Sequence, residues 1–181
     1  MVFSKKFIFI FGILLILGIL IPFKVFKNSR TIRQVQSEPS VHYHAGFVVF
    51  DNGKKVDFSD IQYMNIEPCT LHKADEKETP EHEQLEKAHL HDGVGDVVHS
   101  HREGAKWGDL FTNINYPLDY SQATAFVGGE EVVDIKNALI TADSSLVIFI
   151  GTVNKSLLTQ SVPLDHIKEV EKMSENCGGQ S

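Results

Sequence analysis

A chain of 181 residues has room for one domain and an appendage. Its 24 acids outnumber 17 lysines and arginines, for a formal charge of −7. The six bases before residue 34 meet no acid there, whereas from Gln34 onward 11 bases stand against 24 acids. Such a surface repels nucleic acid and anionic lipid headgroups and draws cations, so no nucleic-acid partner is expected.

Residues 7–23 run without a charge after Lys5 and Lys6, near the lower limit for a bilayer-spanning helix. No Ala-x-Ala-like cleavage site follows. The sequence therefore predicts a single N-terminal transmembrane helix, with an anchor over 1–33 and a polar linker over 34–40. Lys24, Lys27, Arg30 and Arg33 flank its far side, so the positive-inside rule slightly favours an inside domain. A short basic start before an apolar run is nevertheless the usual export signal, and a single-pass protein with its domain facing the cell exterior is expected.

The domain is expected over 41–175. Residues 41–50 alternate and are rich in β-branched and aromatic types, Asp51-Asn-Gly-Lys54 marks a hairpin turn, and 55–58 form the return strand. On the first strand His42 and His44 share a face with Gly46, Val48 and Phe50. Residues 71–88 are highly charged and read as an exposed insertion. It ends in a short helix over 81–88, with Pro80 at its first position, and its His72 and His82 are expected to be solvated.

Four of the nine histidines fall in His89-Leu-His91-Asp-Gly-Val-Gly-Asp-Val-Val-His99-Ser-His101. A turn over 92–96 folds the two His-x-His pairs back on each other, with His91 near Val97 and His89 near His99. Beyond them a core-facing helix is predicted over 105–114, a hairpin around Gly128-Gly129, a buried strand over 146–153 and a helix over 163–175. Residues 176–181 are a tail. The fold class is α+β, mostly antiparallel, with a few short helices on one side of the sheet.

Three His-x-His pairs in one small domain point to a transition metal, because imidazole binds copper, zinc, iron and nickel. The candidate ligands are His42, His44, His89, His91, His99 and His101, more than one site needs, so some support ligands or there are two sites. Asp92, Asp96 and Glu103 are near enough to serve as ligands or as hydrogen-bond acceptors for ligating imidazoles. Copper or zinc is the expected ion, with metal capture, delivery or sensing as the role. A metal-dependent enzyme with Asp92 or Glu103 as base, and a structural domain without metal, remain alternatives. Cys69 and Cys177 are expected to pair outside the cytoplasm; free thiols or an intermolecular link are the alternatives. The sequence has no Gly-x-Ser-x-Gly, phosphate loop, dinucleotide fingerprint or Cys-x-x-Cys.

His42-Tyr-His-Ala45, then His89-Leu-His-Asp92 with Gly95 and His99-Ser-His101, then Trp107-Gly-Asp-Leu-Phe111, resemble a widespread group of uncharacterised bacterial and archaeal proteins. These are membrane-anchored or exported and rich in histidine. The resemblance covers about residues 41–153. It implies an exported domain and supplies no established activity.

Overall fold

The computed structural model describes residues 40–65 and 79–174. The expected anchor over 1–33, residues 34–39, the tail, His72 and both cysteines, Cys69 and Cys177, lie outside the described residues. Among the described residues no helix is long and apolar enough to cross a membrane.

The longest element is strand β1 (Ser40–Asp51), and the domain is built along it. A two-residue turn at Asn52-Gly53 leads to β2 (Lys54–Lys55), shorter than the return strand expected, and then to a 3₁₀ turn (Ile61–Tyr63). Helix α1 (Pro80–Lys87) precedes β3 (Val97–Arg102) and α2 (Trp107–Asn113). The hairpin β4 (Ala123–Val127) and β5 (Glu130–Val132) stands where the Gly128-Gly129 turn placed it. Strand β6 (Ser145–Ile150), a 3₁₀ helix (Lys155–Gln160) and α3 (Leu164–Ser174) complete the fold.

The α+β class is as expected, but the sheet is mixed. Its order is β2-β1-β6-β4-β5, with β3 also paired to β1. β1 and β6 run parallel from Gly46↔Ser145 to Asp51↔Ile150; the other pairings are antiparallel. Hydrogen bonds show which edge each neighbour takes. Phe47 N–H donates to the Asp96 carbonyl just before β3 and the Val49 carbonyl accepts from Val56 N–H just after β2, while the N–H groups of Gly46 and Asn52 donate to the Ser144 and Ile150 carbonyls on the β6 side. One edge of β1 is thus divided between β3 and β2.

Burial is the second correction, because the helices cover both faces. On the odd-numbered face of β1, Ala45, Phe47 and Val49 join Trp107, Leu110 and Phe111 of α2 in the main core. On the even-numbered face, Val48 and Phe50 meet Phe126, Val147 and Phe149 under Leu157 and Leu158. Further along that face Val97 and Val162 pack with Ile167 and Val170 of α3. Gly46 permits this, since a Cβ there would lie 2.5 Å from the Val162 Cβ. Each large apolar side chain so buried contributes about 1.5–3 kcal/mol.

Helix α1 is the third correction. Thr79 caps its N-terminus through His82 N–H, with Pro80 at the first position. Expected to be exposed, it is packed against β3 and α2, with Glu86 and Ala88 buried. Gln84 donates to Asp109 and Asn113, and Asn113 donates back to the carbonyls of Gln84 and Ala88. Hydrogen bonding to a neighbouring helix outweighs the polar composition that suggested a solvated segment.

Candidate metal centre

Strand alternation carries the site. His42 and His44 point to the even-numbered face of β1, and register sets His44 opposite His99. On the other side of β3, His89 pairs with His99 in an antiparallel bridge, each accepting the other's backbone N–H, at 3.0 and 2.9 Å. The expected juxtaposition of His89 and His99 is therefore present. It is a bridge rather than a long hairpin, because β3 pairs mainly with β1. The 92–96 turn is tight: Val94 N–H donates to the His91 carbonyl at 3.1 Å. Gly95 lies so close to the Phe58–Ser59 backbone that a Cβ would come within 2.4 Å of Ser59 N.

Three adjacent chain segments thus bring six imidazoles to one face, with His99 at the centre. Its ring centroid is 4.5 Å from those of His42, His44, His91 and His101, and 5.0 Å from that of His89. Two groups of three could hold a metal ion: His42, His44 and His99, and His89, His99 and His101. In each, the nitrogens lie within 4.8 Å of one another. His91 belongs to neither group, though its ring touches His99.

Hydrogen bonds assign the free lone pairs. His89 is 2 % exposed, and its Nδ1–H donates to the Leu85 carbonyl at 3.0 Å. That carbonyl belongs to the last turn of α1, where helix carbonyls lack intrahelical partners. His89 Nε2 is left as a buried lone pair with no hydrogen-bond partner. His91 donates Nδ1–H to Asp92 Oδ2 at 2.5 Å, so its Nε2 accepts from His99 Nδ1–H. His99 Nε2 is consequently a second buried lone pair without a partner.

Burial favours the neutral rings. It lowers His44 to about 4, with charge on His42 adding and Glu171 opposing. Burial likewise lowers His89 to about 3, against the hydrogen bond to Leu85. His99 is lowered by burial and then by its neighbours His89 and His101. Neutral imidazole is the form that binds metals.

Asp92 accepts from His91, which belongs to neither group. Glu103 is exposed in the turn after β3 and joins neither group. His166 is apart from the cluster, 3.1 Å from Asp96 Oδ1. Two contributors escaped the sequence reading. One is the Leu85 carbonyl, which orients His89. The other is Glu171 on α3, whose charge acts on His44 and which, with Asp143, holds Lys168 at 2.8 Å. A helix over this segment was legible, but nothing local showed that it packs on β1.

No family model, curated protein or solved structure matches the chain.

Proposed function

We propose that this chain is a membrane-anchored, extracytoplasmic protein whose domain binds copper or zinc through its clustered His-x-His pairs, for capture, delivery or sensing of the metal. The observation that carries the reading is His89. Its Nδ1–H is held by a backbone carbonyl while its buried Nε2 lone pair sits among other imidazole nitrogens. A ligating histidine is typically held in this way, and a buried lone pair without a partner costs stability unless something binds it. The apolar run over 7–23 and the resemblance to exported proteins support the location.

Calorimetry on the purified full-length chain tests the metal reading. Sub-micromolar binding of copper or zinc at neutral pH is expected, divalent copper being the tightest first-row ion for nitrogen ligands. Replacing His89 and His91 together by Ala should abolish binding. Failure to bind copper, zinc, nickel or iron, or unchanged binding in the double variant, rejects the assignment. Protease added to intact cells should remove the domain; protection until lysis rejects the exterior location.

A metal-dependent enzyme is the second reading, favoured by the exposure of His42, which opens the first histidine group to solvent as a catalytic coordination position requires.

A further inference from the structure

The two histidine groups share one residue, and that residue has one nitrogen to offer. His99 Nδ1 is engaged by His91 Nε2, so Nε2 alone is available to an ion. A single lone pair binds a single ion. The groups differ in access too. The accessible member of the first is His42, exposed beside buried His44; that of the second is His101, only half-buried, beside buried His89, whose other nitrogen is held by Leu85.

Resting on the metal-binding reading above, we infer that the groups are alternative positions of one ion: it enters at His42, His44 and His99 and is held at His89, His99 and His101. The transfer is a ligand exchange. Bonds from the metal to His42 and His44 break, bonds to His89 and His101 form, and the bond to His99 persists throughout. No electron or proton changes hands. The rings needed for each position already surround His99, so no strand has to move. A short path from a more exposed position to a less exposed one combines tight retention with ready exchange, as delivery to another carrier demands. A fixed, fully enclosed site would release its ion slowly.

Zinc is a suitable probe. The full-length chain would be loaded from a chromophoric chelator, and release into excess EDTA followed by stopped flow. One zinc per chain is expected. His42→Ala should slow both uptake and release about tenfold while equilibrium affinity falls only a few-fold. His89→Ala should leave uptake fast and accelerate release at least tenfold. His42 is exposed, so its replacement endangers folding least, and circular dichroism checks each variant. His166→Ala, remote from the cluster, serves as control. Two zinc ions per chain would overturn the inference while leaving metal binding intact, as would a His42→Ala variant with unaltered rates. Absence of zinc, copper, nickel and iron binding altogether would remove the function reading as well.

Discussion

The two faces of β1 are made by alternate residues of one strand, yet they obey different rules. On the odd-numbered face Phe47 is fully buried, with Phe58, Trp107 and Phe111 ring centroids at 5.5, 6.3 and 6.1 Å. Its contacts are apolar and complete. On the even-numbered face His44 is nearly as buried, but it lies among other imidazoles, beside His99 with its unpartnered Nε2. Hydrocarbon is satisfied by packing alone, whereas a lone pair removed from water needs a donor or a cation. The first face is apolar throughout, whereas the second is apolar around Val48 and Phe50 and carries unpartnered nitrogens only at its histidine end.

Truncation gives the largest separation between the faces. Phe47→Ala should destabilise the metal-free protein by about 3–5 kcal/mol, through lost burial and the cavity left behind. His89→Leu, equally buried, should change metal-free stability by no more than about 1.5 kcal/mol. The change leaves the Leu85 carbonyl without its donor but also removes the buried lone pair at Nε2, and the two partly cancel. The same change should weaken metal binding by about a hundredfold or more. Denaturant titration with and without metal measures both; equal costs in the metal-free state would break the comparison.

Acid should act on the histidine face. An unfolded histidine takes a proton near 6.5, whereas His44 and His89 in the fold wait until about 4 and 3. The unfolded state therefore binds more protons below 6.5, and stability rises with pH in that window. Metal-free protein should hold its full stability above pH 6.5 and lose it progressively toward pH 4. Each such histidine contributes about 1.4 kcal/mol per pH unit. Denaturation midpoints that stay flat from pH 7 to 5 would contradict the burial of neutral rings. His44→Leu should flatten the slope; Phe47→Ala should lower the curve without changing its shape.

The smallest effect belongs to His166→Ala. This residue is partly exposed and bound to Asp96 outside the cluster. A stability change within about 0.5 kcal/mol and unchanged metal affinity are expected. A large loss of affinity would extend the site beyond the six central histidines.

Much of this was legible locally. Alternation put His42 with His44 on one face and His99 with His101 on another, and the turn chemistry at 92–96 brought His89 to His99. The spacing of Trp107, Leu110, Phe111 and Ile114 gave α2, and Gly128-Gly129 gave the last hairpin. The parallel pairing of β1 with β6 was not legible, because the two strands are separated by most of the domain and parallel pairs have no turn to announce them. Nor was the role of α1. Its composition is that of a solvated helix, but its last turn supplies the carbonyl that fixes His89.

By itself the sequence determined that histidines come in His-x-His pairs and that each pair in a strand shares a face, because side-chain alternation in a strand is a property of the backbone. The tertiary structure decided which imidazoles meet, that His99 is common to both groups, and which nitrogens remain free. Those outcomes depend on register between distant segments and on hydrogen bonds from α1 and Asp92, and such contacts follow from the packing of the whole domain.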